Sequence, residues 1–210
     1  KRELFIKIVL PLILDENDKI TQDRKKLFKI LGKNFNTPGE RIWLKRRFKE
    51  YKIDDQDLSK LKMRMDIIPV SLALAQAANE SGWGTSRFAL EGNALFGQWT
   101  WSKKGISPKN KDPNKSHKVL QFQILKASVR AYKNNLNTHN AYQEFREARA
   151  QLRQEDKIID GFELAKYVKN YAAIGEKYVA ILEDIIEKNS LTDFDKANLL
   201  PTKLKTGINL

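Results

Sequence analysis

Hydrophobic positions along the chain recur mostly at the three-to-four-residue spacing of an amphipathic helix. The first apolar run, LFIKIVLPLIL at residues 4–14, is interrupted by Lys7 and Pro11 and followed by Asp15-Glu16-Asn17-Asp18. A secretion signal would keep its apolar stretch whole and end in small residues, so the run reads as a helix facing a core. Ile20, Leu27, Phe28, Ile30 and Leu31 carry the pattern on to Gly32, a common helix terminator. Thr37 and Pro38 offer an N-cap and a first helical residue ahead of Ile42, Trp43 and Phe48. A short helix is expected around residues 55–63.

Pro69 opens a segment unlike the rest. Of the eighteen residues 69–86 only Glu80 is charged, in a chain where 31% of residues are. A helix so poor in charge has to be buried around most of its circumference. Between residues 92 and 124 the pattern changes. Gly92, Gly97, Gly105, Pro108 and Pro113 punctuate two β-favouring runs, 95–100 and 119–125, on either side of a lysine-rich loop. Helical spacing resumes at 127–136, 142–152, 161–167 and 176–188. From Leu191 the pattern is weak, and residues 201–210 read as a surface extension. The expected fold class is α+β, predominantly helical, with a small β lobe inserted in the middle. No linker or repeat marks a second domain. Residues 1–210 therefore read as one domain, with an N-terminal helical part (1–68), a part carrying the candidate chemistry (69–188) and a C-terminal extension (189–210).

Charge narrows the choice of partner. With 39 Lys+Arg against 26 Asp+Glu in 210 residues, the net charge of +13 implies attraction to an anionic membrane, nucleic acid or polysaccharide. Cysteine is absent, which excludes disulfide scaffolds, zinc ribbons and thiol nucleophiles. The two histidines, His117 and His139, lack metal-ligand spacing, and a Ser-His triad is hard to build from them. Phosphate-binding loops and nucleic-acid recognition motifs are missing. No run reaches the ~20 apolar residues of a membrane-spanning helix.

Glu80 is the leading candidate for chemistry. Gln76, Asn79 and Glu80 form the polar strip of a helix otherwise built from Val70, Leu72, Ala73, Leu74, Ala75, Ala77 and Ala78. Desolvation there would hold the carboxyl proton toward neutral pH, as general acid catalysis of glycoside cleavage requires. A helix-end Glu with a satisfied hydrogen bond fits the composition equally well. Gly82 and Gly84 around Trp83 tip the balance, because they end the helix and set a flat aromatic face, suited to a sugar ring, beside the acid. Trp99 and Trp101 share one face of the expected strand and either stack on sugar or pack the small lobe. Six lysines from Lys103 to Lys118, against Asp112 alone, form either a solvated surface or a steering patch for an anionic polymer.

The run ALAQAANESGWGTSRFA (73–89), followed by GNALFGQW (92–99), resembles the signature of bacterial glucosaminidases of glycoside hydrolase family 73. That family includes the peptidoglycan-cleaving domain of the flagellar rod protein, and within it the chain is most similar to the Bax-like branch of Gram-negative bacteria. VLQFQILKASVRAYKNNLNTH (119–139) is similar to the family's returning strand and following helix. The resemblance implies a lysozyme-like fold, with a helical lobe and a β lobe around a cleft, and no cofactor or metal. It implies hydrolysis of peptidoglycan glycan strands at the N-acetylglucosaminyl bond. The expected setting is a monomer of the periplasm or cell envelope, with no transmembrane segment and no nucleic-acid partner.

By the same resemblance Glu80 matches the general acid, and Asn93 and Phe96 fall on the N-x-LFG positions that shape the cleft floor. Trp83, Trp99 and Tyr178 join them as expected substrate contacts. Tyr171 and Tyr178 fall where the family has a tyrosine-alanine motif, and Tyr171 is expected to assist the chemistry. YAAIGEKY (171–178) spaces its tyrosines one residue wider than the usual motif and lacks its Thr-Asp pair. Many members also carry a second acid in the β lobe. Between Asp66 and Ser128 this chain has only Asp66, Glu80, Glu91 and Asp112. A carboxylate pair needs a separation of about 5 Å or about 6.5–9.5 Å, depending on stereochemistry, leaving Glu91 and Asp112 as available partners. The expected mechanism instead uses the substrate's 2-acetamido group as nucleophile, with Glu80 as acid and Tyr171 orienting or stabilising that group or the developing charge. A catalytically weak glycan-binding or basic scaffold protein of the same fold is the alternative.

Overall fold

In the computed structural model, which describes residues 1–100, 105–107 and 118–200, the first apolar run belongs to α1, a 30-residue helix spanning Arg2–Leu31. Phe5, Val9, Ile13 and Leu14 are buried, and Pro11, which has no N–H to give, sits on the exposed face. The core-facing reading of residues 4–14 is the one the structure displays. Helix α2 (Pro38–Glu50) starts at the expected cap: Glu40 N–H donates to Thr37 Oγ1 at 3.2 Å and Thr37 N–H to Glu40 Oε2 at 2.9 Å. Asp57 caps α3 (Leu58–Arg64). The second half of α1 buries Ile20 and Leu27 against Phe48, Tyr51, Ile53, Leu61 and Met65, a small cluster that Ile67 joins to the main core.

That main core surrounds α4 (Val70–Ser81), of whose twelve residues ten are buried. Its alanines at 73, 75, 77 and 78 let neighbouring backbones approach closely. Helix α5 (Arg87–Gly92) follows, then the strands β1 (Trp99–Thr100) and β2 (Lys118–Val119). The helices α6 (Leu125–Thr138), α7 (Gln143–Gln154), α8 (Gly161–Ala165) and α9 (Glu176–Lys188) complete the domain. A 3-10 segment, Lys166–Tyr171, links α8 to the loop before α9, and another, Leu191–Lys196, packs on α4. The class is the expected one, α+β and predominantly helical. No helix among the described residues is long and apolar enough to cross a membrane.

The strands are shorter than the expected 95–100 and 119–125. They pair antiparallel only as Trp99 with Val119 and Thr100 with Lys118, extended by a bridge between Ile106 and Val119. Leu95 and Phe96 are drawn into the helical core, and Gly97 takes φ +58°, which no strand accommodates. On the return, Phe122 N–H donates to Gly92 O at 2.8 Å, and Asn93 Nδ2 donates to Phe122 O at 3.0 Å and Gln123 O at 3.2 Å. The polar backbone of 122–123 is thus satisfied by the end of α5 instead of by a partner strand.

Buried acids lock the helices together. Glu16 of α1 accepts from Arg130 Nη2 at 3.1 Å and Lys133 Nζ at 3.3 Å, both on α6. Asp66, just before α4, accepts from Arg153 Nε at 2.9 Å and Nη2 at 2.7 Å, a two-pronged bond from α7. The weakly patterned tail also contributes. Leu191 is fully buried, and Asp195 accepts from Ser71 N–H at 2.8 Å, Ser71 Oγ at 2.6 Å and Gly161 N–H at 3.0 Å, pinning the start of α4 to the start of α8.

Candidate active site

Glu80 lies in the last turn of α4. Gly82 adopts the left-handed conformation that ends the helix, followed by positive φ at Trp83 and Gly84. The half-buried Glu80 carboxyl therefore opens onto a cleft of about 900 Å³ between the α4 end, the loop before β1 and the segment leading into α9. Burial pushes its pKa above the ordinary carboxylate value, while the neighbouring Tyr178 hydroxyl and Asn79 Nδ2, at 3.2 Å from Oε1, hold the rise back. The proton is retained where an exposed Glu would have lost it.

Behind the carboxyl stands a tyrosine-rich wall assembled from four separate parts of the chain. Tyr132 of α6 stacks on Phe96 with ring centroids 3.9 Å apart. Tyr171, at the end of the 3-10 segment, stacks on Tyr178 of α9 at 5.9 Å, and Tyr142, just before α7, leans on Tyr171 at 6.1 Å. The Tyr171 hydroxyl donates to Phe96 O at 2.7 Å, tying the far wall to the loop that precedes β1. Burial raises the pKa of Tyr142, Tyr171 and Tyr178, so all three stay neutral through the working pH range of a carboxyl acid. Among the described residues, Glu80 is the only carboxylate and Lys169 the only cation lining this cleft.

A half-buried carboxyl with a raised pKa thus stands over a tyrosine-walled cleft of about 900 Å³. The family model described as mannosyl-glycoprotein endo-beta-N-acetylglucosaminidase matches residues 55–191, well over half of the chain. The chain belongs to this glucosaminidase family. It is also 36% identical, over 184 residues, to Protein bax of Escherichia coli (strain K12), a match covering 85% of this chain and 66% of that protein. No solved structure matches.

The glucosaminidase match contains Glu80 and both motif tyrosines, whereas α1, which supplies Phe5, Val9 and Ile13 to the same core, lies outside it. Of the residues singled out from sequence, the structure brings Glu80, Phe96, Tyr171 and Tyr178 together. Phe96 and Tyr178 are each 1% exposed, so their rings support the wall and offer a glycan little surface. Trp83 and Asn93 are placed elsewhere. The Trp83 ring turns onto Phe5 (5.6 Å, edge-on) beneath the Arg2 guanidinium, and with Asn93 it lines a separate apolar groove of about 440 Å³ beside α1. The run of positive φ through Gly82, Trp83 and Gly84 swings the indole away from the acid it follows in sequence.

Glu91 is exposed and pairs with Arg87 at 3.5 Å, away from the cleft. The side chain of Trp99 lies outside the described residues, as do Trp101, Asp112, His117 and the lysines at 103, 104, 109, 111 and 115. Sequence reasoning missed Tyr132, Tyr142, Gln98 and Asn135. Buried tyrosines on otherwise apolar helix faces were the available signal, since a phenol placed there needs a partner. Among the described residues no group of three or more His, Asp or Glu stands together as a metal site.

Proposed function

We propose that the protein is a peptidoglycan hydrolase of the cell envelope, an endo-β-N-acetylglucosaminidase with Glu80 as its general acid. The observation that carries this reading is the isolation of Glu80: one half-buried carboxyl with a raised pKa, and no second carboxylate among the described residues of its cleft. Glu80 delivers its proton to the glycosidic oxygen as the C1–O bond breaks. The carbonyl oxygen of the substrate's own 2-acetamido group bonds to C1 from the opposite face, giving a cyclic oxazolinium ion. A water then attacks C1, its proton passes to the Glu80 carboxylate, and the acetamido group is released unchanged.

Tyr171 suits the task of orienting that group. Its hydroxyl proton is committed to Phe96 O at 2.7 Å, so toward substrate it presents lone pairs, which accept from the acetamido N–H. Held by its nitrogen, the amide aims its carbonyl oxygen at C1. The +13 charge favours capture of a wall polymer rich in lactyl and peptide carboxylates.

Glycan release from purified cell wall, compared for wild type and Glu80→Gln, tests the assignment. The amide keeps the shape but has no acid proton, so the rate falls by on the order of 10²–10⁴. Mass spectrometry of the released fragments names the reducing-end sugar and hence the bond. Release by Glu80→Gln within a few-fold of wild type overturns the assignment, and wild-type binding without any release leaves the weaker glycan-binding scaffold.

A further inference from the structure

We propose that Gln76 is a positioning residue of this site: by donating to the Tyr178 oxygen it turns the tyrosine's own proton toward Glu80. The inference rests on Glu80 acting as the acid. Gln76 is fully buried on α4, one helical turn before Glu80, and both ends of its amide are engaged. Its Oε1 accepts from the Tyr132 hydroxyl at 2.7 Å, and its Nε2 donates to the Tyr178 oxygen at 3.0 Å.

The direction of this chain follows from what Tyr132 needs. Tyr132 is 1% exposed, its ring is stacked on Phe96, and Gln76 is the hydrogen-bond partner of its hydroxyl. A buried hydroxyl without an acceptor is costly, so Tyr132 requires the oxygen end of the amide, which leaves the nitrogen end for Tyr178. Having accepted there, Tyr178 keeps one proton to give. Glu80 is the carboxylate whose charged form the Tyr178 hydroxyl favours, so it is the acceptor this proposal assigns to that proton. With the amide reversed, Tyr178 would donate back to Gln76 and Glu80 would lose the bond. A residue that never meets substrate thereby sets how strongly the acid holds its proton.

Glu80 is faced by Tyr178 from α9, by Tyr171 and the cleft-rim Lys169 from the 3-10 segment, by Tyr142 from the turn before α7, and by Asn79 from α4. The tyrosines keep their protons throughout, so a shifted pH limb in a Gln76 variant reports Glu80. Loss of the Tyr178 bond destabilises the carboxylate, raises the Glu80 pKa and moves the alkaline limb of kcat to higher pH.

The test is the pH profile of glycan release from purified cell wall for wild type, Gln76→Leu, Tyr132→Phe, Tyr178→Phe and the Gln76→Leu/Tyr178→Phe double variant. The limb is expected to move up by about one pH unit, the tenfold change in proton affinity that a hydrogen bond to a charged group commands. Its companion is a fall of kcat by roughly tenfold with KM unchanged, and the double variant matches Tyr178→Phe alone. Tyr132→Phe removes one buried oxygen and keeps the ring that stacks on Phe96, so it remains informative if Gln76→Leu fails to fold. An unmoved limb in Tyr132→Phe and Tyr178→Phe overturns the proposal, as does a double variant whose losses simply add. If Glu80→Gln is inactive while these limbs stay in place, only the role of Gln76 falls. If Glu80→Gln is active, the underlying assignment falls with it.

Discussion

A Cβ built on Gly97 would stand 2.8 Å from Oε2 of Glu80. The loop that enters the β lobe therefore crosses the end of α4 with no room for a side chain, at a φ of +58° that L-residues rarely adopt.

Gly97→Ala tests how much the acid depends on that crossing. The left-handed backbone costs about 1–2 kcal/mol with a Cβ present, and the methyl displaces the Glu80 carboxyl besides. Urea denaturation is expected to show that modest loss, while glycan release falls on the order of 10²-fold, the scale of a 1 Å misplacement. A variant that loses stability but keeps its activity would show that the carboxyl tolerates being moved.

Tyr171→Phe and Glu91→Gln separate substrate assistance from a carboxylate pair. Glu91 is exposed and, among the described residues, pairs with Arg87 at 3.5 Å, so its amide should leave release within about twofold of wild type. Tyr171→Phe removes the acceptor proposed for the acetamido N–H and should lower kcat on the order of 10²-fold. Circular dichroism confirms folding of both. A collapse of Glu91→Gln to the level of Glu80→Gln would install Glu91 as the second carboxylate.

Asp66 predicts an acid-sensitive fold. Burial pushes its pKa up, but the two-pronged bond from Arg153 and the charges of Arg149 and Arg24 outweigh it, and the net shift is downward. A depressed pKa adds stability that is fully present above the unfolded value of about 3.9 and is lost as pH falls through the folded value. Asp66→Asn leaves buried Arg149 without its counter-charge and should cost about 3–5 kcal/mol at pH 7. In urea titrations the gap between variant and wild type should narrow below about pH 4. Equal stability at pH 7 would mean that Arg149 is satisfied by the backbone oxygens of Met63, Asp66 and Ile67 and by Asn137 Oδ1.

Local signals carried much of the architecture. The Thr37-Pro38 start of α2 and the helix 176–188 follow from capping and periodicity, properties of neighbouring residues that any fold containing them would keep. Glu80 was legible for the same reason: a lone charge on an apolar helix announces its own burial through composition. Gln76 and Asn79 appeared beside it because four residues make one helical turn.

Adjacency in sequence misled where the backbone reversed. Trp83 follows Glu80 by three residues, yet three successive positive φ values carry its ring to Phe5 on α1. The expected strand at 95–100 shrank because Leu95 and Phe96 gain more from the helical core than from an edge ladder. Periodicity reports which face of an element is apolar and says nothing about the partner that face will meet.

Sequence alone determined that one helix, α4, is buried and ends on a lone carboxyl, the candidate acid Glu80, since desolvation and helix ending are written within one stretch of chain. Tertiary structure alone decided how that acid is held. Tyr132, Tyr142, Tyr171 and Tyr178 come from α6, the turn before α7, the 3-10 segment and α9, and only packing around α4 brings their hydroxyls and rings within reach of Gln76 and Glu80. Hydrogen bonds act over about 3 Å, and between residues as far apart in the chain as Gln76 and Tyr178 that distance is set by the core, not by spacing.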